Sequence, residues 1–139
     1  TVKRVILSTY QAVSGTGKKA VDQLKRESEG TITDKAYPHK IFQNILPHCD
    51  DFTDNGYTKE EMKLTNETKK ILDKNIDVVA TAVRVPVIRG HSESVNIQFD
   101  KDFEIEQLKE CLQKSQGVVI LDDPQKNIYP TPLKTEKKR

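Results

Sequence analysis

Cysteine is scarce in this chain. Cys49 and Cys111 are the only two, and they stand far apart, outside any Cys-x-x-Cys or His spacing. That argues against a disulfide framework or a zinc site and for two structural thiols in a reducing compartment. Long apolar runs are missing too. Nothing approaches the roughly 20 residues that cross a bilayer, and the N-terminus lacks the layout of a secretory signal, so a soluble, cytoplasmic protein is expected. No charge dominates either: 23 basic and 21 acidic residues leave a net charge of +2. That balance creates no field to gather nucleic acid or an anionic membrane. The hydrophobic set is 35% with six glycines, short of the roughly 45–50% apolar share of globular domains, so the core is modest. At 139 residues the chain accommodates one domain but not a nucleotide domain beside a substrate domain. It opens on Thr1 and closes on the charged run Lys134-Thr135-Glu136-Lys137-Lys138-Arg139. This reads as a domain over 1–133 with a charged tail over 134–139, cut from something longer.

What is present begins with an apolar run. Residues 2–10 hold Val2, Val5, Ile6 and Leu7 before a Ser/Thr/Tyr cluster, predicting a largely buried strand with Gln11 at its polar end. Ser14-Gly15-Thr16-Gly17 follows as a tight loop, then a helix over 18–29 with Ala20, Val21 and Leu24 on one side. Residues 30–40 read as a connection, and Ile41-Phe42 with Ile45-Leu46 as a short extended segment that Pro47 ends. Thr58-Lys59-Glu60-Glu61 matches a capping box opening a helix to about residue 74. The β-branched stretch 76–87 predicts a central strand ended by Pro86, and the alternation at 93–99 a second strand beside it. Residues 103–115 place Ile105, Leu108, Cys111 and Leu112 on one helical face. Gly117 is positioned as its C-cap, and 118–121 as a last short strand. The order predicts an α+β fold: a mixed, largely antiparallel sheet with helices packed on one face.

Two polar stretches interrupt this pattern. Ser14-Gly15-Thr16-Gly17-Lys18 lacks the Walker A spacing; such a loop opening a helix either presents amides to a phosphate or carboxamide or is a tight turn. Arg84 lies between Val83 and Val85, where an unpaired guanidinium would be costly, so a carboxylate must neutralise it. An internal Asp or Glu is the commoner partner and a substrate carboxylate gripped in two places the other. His91 follows Gly90 at the turn into the next strand. Its ordinary titration range suits proton transfer near neutrality, and a surface or hydrogen-bonded structural role is the alternative. Glu60 and Lys63 share a helix face, where a surface ion pair is the plain reading. Gln11 offers both donor and acceptor at a strand end. His39 and His48 flank prolines without ligand geometry, and no metal set is apparent.

In order along the chain come Ser8-Thr9-Tyr10-Gln11-Ala12-Val13-Ser14-Gly15, Asn44-Ile45-Leu46-Pro47-His48, Asn55-Gly56-Tyr57-Thr58-Lys59-Glu60-Glu61-Met62-Lys63, Glu67-Thr68-Lys69-Lys70-Ile71-Leu72, Arg84-Val85-Pro86-Val87, Gly90-His91-Ser92-Glu93 and Tyr129-Pro130. With these blocks the chain resembles the central catalytic and dimerisation portion of the aspartate-semialdehyde dehydrogenase family. The resemblance implies the fold of the C-terminal domain of glyceraldehyde-3-phosphate dehydrogenase-like enzymes and makes 1–133 a substrate-binding and dimerisation domain. It implies an NADP-dependent oxidoreductase that makes aspartate semialdehyde from aspartyl phosphate through an acyl-thioester on cysteine, on the route to lysine, threonine and methionine. By the same analogy His91 is the acid/base and Gln11 orients the reacting group. Arg84 binds the substrate carboxylate, Glu60 contacts the amino group and Lys63 serves the phosphate site. Ser14 and Gly15 approach the nicotinamide end of the cofactor. Aspartate semialdehyde, phosphate and a second copy of the chain are the implied partners, with no nucleic acid or membrane.

The family's nucleophilic Cys and dinucleotide fold precede the position of Thr1, and its C-terminal cofactor-contacting helix follows the tail. Neither Cys49 nor Cys111 matches that nucleophile; Cys49 stands where the family usually has an aliphatic residue, and Arg89 is a further variable point. The chain alone is therefore expected to be inactive and to hold no cofactor stably. A noncatalytic assembly module derived from the same domain is the alternative.

Overall fold

The structure, a computed structural model, describes residues 1–31 and 34–136. Strand β1 (Val2–Ala12) leads through a 3-10 turn (Val13–Thr16) into helix α1 (Lys18–Ser28). A long connection brings the chain to α2 (Lys59–Ile71), β2 (Asp77–Val85), β3 (Ser92–Phe99) and α3 (Ile105–Lys114). A second 3-10 turn (Pro124–Lys126) and the short α4 (Pro132–Glu136) close the described chain. The sheet is mixed, in the order β2-β1-β3, with β1 parallel to β2 and antiparallel to β3. The α+β architecture expected from the order of elements is the one observed.

Strand alternation decides what the sheet buries. Val5, Leu7, Thr9 and Gln11 point to one face of β1, and their partners on β2 include Ala80, Ala82 and Arg84, all buried. Near the start of both strands this face is apolar: Val5, Leu7, Ile76 and Ala80 form a core against which Leu64 of α2 packs. Toward the strand ends it becomes polar, with Thr9, Gln11 and Arg84. Parallel pairing places both polar ends at the same edge. A second core, of Val13, Ala20, Leu24, Tyr37, Ile41 and Leu46, joins α1 to the connection behind that edge. The opposite face of the sheet is bare, with Ile6 38%, Tyr10 41% and Val79 41% exposed.

The capping box at α2 forms as the sequence predicts. Thr58 Oγ1 accepts from the Glu61 amide, and Glu61 accepts from the Thr58 amide. Glu61 also accepts from the Ala82 amide at 3.0 Å, fastening the first turn of α2 to β2. The helix ends at Ile71, short of residue 74, because the Asp73 carboxylate accepts from the Asn75 amide and the Asp73 carbonyl from Ile76, closing a turn.

Several expectations change. β1, not β2, is the middle strand, and β2 and β3 flank it instead of pairing with each other. The extended segment at 41–47 reduces to one bridge, Leu46 with Arg84, consistent with Pro47 stopping the pairing. Residues 118–121 form no strand; a β-branched run needs a sheet edge to pair with, and no ladder reaches this one. Ser115 caps α3, and Gly117 lies in the turn beyond it. Of the predicted charged tail, 134–136 end α4 and 137–139 lie outside the described residues, as do 32–33 of the connection at 30–40. No helix among the described residues is long and apolar enough to cross a membrane.

Candidate functional site

A cleft of about 400 Å³ opens at the polar strand ends, lined by Gln11, Gly15, Thr16, Cys49, Asp50, Glu60, Lys63, Arg84 and His91. Residues far apart in sequence thus meet at one place. β1 contributes Gln11, the turn after it Gly15 and Thr16, and α2 Glu60 and Lys63; β2 contributes Arg84, and the link to β3 contributes His91. Among the residues singled out from sequence, Ser14 is exposed and does not line the cleft. Arg89 is also outside it, and His48 stacks on Phe52 with centroids 4.7 Å apart.

Arg84 is 6% exposed. Its Nη1 donates to the Ala12 carbonyl at 2.9 Å, and its buried Nε has no hydrogen-bond partner. No carboxylate among the described residues forms an ion pair with it. The internal Asp or Glu that chemistry favours as partner is therefore not there, and a buried cation faces the cleft with donors to spare. Such a group favours an anionic, planar ligand.

Ala12 serves His91 as well, since its amide donates to His91 Nδ1 at 3.3 Å. With Nδ1 accepting, the neutral ring carries its proton on Nε2. Gly15 lets these groups come close. A Cβ there would stand 3.0 Å from Arg84 Nη1 and 3.6 Å from His91 Nε2.

Gln11 is 5% exposed, and its amide donates to Glu60 Oε1 at 3.0 Å and to Thr9 Oγ1 at 3.2 Å. With its amide hydrogens so occupied, Gln11 offers a ligand its carbonyl oxygen. The plain surface pair between Glu60 and Lys63 does not form. Glu60 instead accepts from Gln11, and Lys63 remains an exposed ammonium at the rim.

Thr16, Cys49 and Asp50 are cleft residues that sequence reasoning missed. Cys49 is fully buried, and burial pushes its thiol pKa up; the Arg84 charge pulls the other way, while Glu60 and Glu61 add to the rise. It is a poor thiolate at neutral pH. Cys111 is exposed on α3 and outside the cleft. No group of three His, Cys, Asp or Glu side chains among the described residues is arranged to hold a metal ion.

Residues 1–138 match the family described as semialdehyde dehydrogenase, dimerisation domain. The aspartate-semialdehyde dehydrogenase of Aquifex aeolicus is 49% identical over 142 residues, covering 97% of this chain and 42% of that protein. Among solved structures, aspartate semialdehyde dehydrogenase II of Vibrio cholerae, complexed with ASA, superposes with a TM-score of 0.89 at 35% identity, covering 99% of this chain and 42% of that one. The Candida albicans aspartate semialdehyde dehydrogenase with NADP gives 0.57 at 26% identity, covering 83% and 29%. The chain thus spans about two fifths of the length of its Aquifex relative. Matched along nearly its whole length, it belongs to the semialdehyde dehydrogenase dimerisation-domain family.

Proposed function

We propose that this chain is the substrate-binding and dimerisation part, residues 1–133, of a cytoplasmic, NADP-dependent aspartate-semialdehyde dehydrogenase that reduces aspartyl phosphate to aspartate semialdehyde for lysine, threonine and methionine synthesis. The single observation that carries the reading is the buried Arg84, with no ion-paired carboxylate among the described residues, beside His91, Gln11, Glu60 and Lys63 in one cleft. Arg84 grips the substrate α-carboxylate, and Glu60 meets the amino group. Lys63, at the rim, takes the phosphate. Their charges complement those groups of the substrate.

His91 then works at Nε2. In the tautomer that the Ala12 amide favours, the Nε2–H donates a hydrogen bond to oxygen charge developing on the reacting carbonyl. Proton transfer at the same atom, in either direction, requires the ring to release its Nδ1 bond to Ala12, because the imidazolium acid and the Nε2 base both carry a proton on Nδ1. Gln11 orients the reacting group through its carbonyl oxygen.

Neither cysteine of this chain suits the nucleophile of a thioester cycle: Cys49 is buried with a raised pKa, and Cys111 is remote from the cleft. Ser14 and Gly15 would approach the nicotinamide end of NADP, whose chemistry when bound is hydride transfer. Gly15 fits that part, since the missing Cβ leaves the turn open beside Arg84 and His91. Among the described residues, the three-stranded sheet with a single parallel ladder offers no nucleotide fold for the rest of the cofactor. The chain by itself therefore neither turns over nor retains NADP. A second copy of the chain covers the bare sheet face that carries Ile6, Tyr10 and Val79.

The test is phosphate-dependent reduction of NADP by aspartate semialdehyde in the intact enzyme carrying this domain. Arg84→Lys should raise KM for the semialdehyde at least roughly tenfold, because an ammonium loses the planar fork, and His91→Ala should lower kcat by roughly 100-fold or more. Wild-type kinetics in both variants would overturn the assignment, as would turnover by the 139-residue chain above its His91→Ala control.

A further inference from the structure

Gln23 and Glu27 lie one turn apart on α1, outside the cleft, and their hydrogen bonds form a closed set. Gln23 is fully buried. Its Oε1 accepts from the amides of Ala36 and Tyr37 at 2.7 and 2.9 Å. Its Nε2 donates to Glu27 Oε1 at 2.7 Å and to the His39 carbonyl at 3.2 Å. Glu27 Oε2 accepts from the amides of Ile41 and Phe42 at 2.8 and 2.9 Å. Two side chains thus hold five backbone groups of the connection between 36 and 42, a stretch with no regular secondary structure of its own.

That stretch reaches the cleft by two routes. Tyr37 Oη donates to Thr16 Oγ1 at 2.8 Å, and Thr16 lines the cleft wall beside Gly15. Further along, Leu46 exchanges both backbone hydrogen bonds with Arg84, at 2.8 and 3.0 Å, before the chain delivers Cys49 and Asp50 to the cleft. The backbone that carries Arg84 is therefore braced between β1 on one side and the clamped connection on the other.

We propose that the Gln23–Glu27 pair is a positioning device for ligand recognition in the cleft, setting the placement of Arg84 and Thr16 through the connection it clamps. The inference rests on the reading of the cleft as the substrate site. Its polarity is defined atom by atom. Because Gln23 Oε1 faces two amides, Nε2 must face Glu27, and Glu27 must accept at both oxygens. Glu27→Gln preserves shape yet turns one acceptor into a donor opposed to Gln23 Nε2. The exchanged pair, Gln23→Glu with Glu27→Gln, restores every contact except the one to the His39 carbonyl, which then faces a carboxylate oxygen.

The experiment compares wild type, E27Q and Q23E/E27Q in the intact enzyme, with aspartate semialdehyde as the varied substrate. A loosened Arg84 weakens ground state and transition state alike, so E27Q should raise KM roughly tenfold with kcat within about twofold. The exchanged pair should recover part of that loss. Ile76→Val, in the other core, should lower the thermal midpoint and leave KM alone. A folded E27Q with wild-type KM overturns the proposal, and so does an Ile76→Val variant with the same KM increase. If E27Q does not fold, Tyr37→Phe, which removes only the bond to Thr16, replaces it; a KM increase of about two- to fourfold supports the route, and an unchanged KM overturns it. The amide chemical shifts of Thr16, Leu46 and Arg84 are followed in parallel without substrate. If the wild type shows no turnover, the functional reading fails, and the shifts still decide the device: movement at all three supports it, and changes confined to 36–42 refute it.

Discussion

One added carbon at position 15 probes the cleft directly. In Gly15→Ala the new Cβ would stand 3.0 Å from Arg84 Nη1 and 3.6 Å from His91 Cε1 and Nε2. Contacts of 3.4–4 Å are ordinary, so something must yield by a few tenths of an ångström. The turn itself is anchored: the Ser14 amide donates to the Ile88 carbonyl at 3.2 Å, and the Gly17 amide to Ser14 at 3.0 Å. The guanidinium yields more easily, because Nη1 is held by a single bond, to Ala12 at 2.9 Å. A hydrogen bond from a charged donor contributes about 1.5–3 kcal/mol, and stretching it forfeits roughly half, about 0.75–1.5 kcal/mol. If that guanidinium binds the substrate carboxylate, the loss appears as a rise in KM of roughly 3.5- to 13-fold, with kcat changed less. Initial rates over a range of aspartate semialdehyde concentrations, at saturating phosphate and NADP, measure it. Thermal melts show whether the variant is folded. A folded Gly15→Ala enzyme with unchanged KM would refute the link between this close approach and carboxylate binding.

Burial alone would raise the Glu27 carboxyl, but the Phe42 amide, Gln23, the Ile41 amide and the Lys40 charge together hold it below its ordinary 4.5. A depressed native pKa stabilises the fold above about 4.5, and that share is lost as pH falls through the lower native value. The thermal midpoint of wild type should therefore fall more steeply below that pH than that of Glu27→Gln, and parallel curves from calorimetry would contradict the assignment. Cys49 is buried with a raised pKa, and Cys111 is exposed. An aromatic disulfide reagent should label Cys111 at once and Cys49 at least roughly 100-fold more slowly; mass spectrometry showing equal rates would refute the burial. Ile6→Lys places a charge on the bare sheet face and should weaken self-association roughly tenfold or more. A sedimentation profile identical to wild type would put the pairing surface elsewhere.

Local signals in the sequence translated well. The capping box at Thr58 and Glu61 is written within four residues and forms as expected; the run from Val5 to Leu7 becomes a strand, and Ala20 and Leu24 mark the buried side of α1. Sheet order did not translate. β2 looks central because Ala80, Ala82 and their β-branched neighbours suit burial, yet an edge strand under a helix asks for the same residues. At the cleft, the resemblance pointed to Gln11, Glu60, Lys63, Arg84 and His91, which the fold brings together. Cys49 and Asp50 stayed hidden because the irregular connection takes them there, past Gln43 and Asp50 in the left-handed region. Gln23 and Glu27 likewise read as ordinary helix residues until the backbone they hold is seen.

The last two residues of β1 tie together four of the side chains that line the cleft: Gln11 reaches Glu60, the Ala12 carbonyl takes Arg84, and the Ala12 amide takes His91. A slip of this strand by one place would turn Gln11 outward and expose Leu7 in the same movement. Misfolding and loss of the cleft therefore share one cause, and a chain that has packed its core has, by that act, already aligned the side chains that line it.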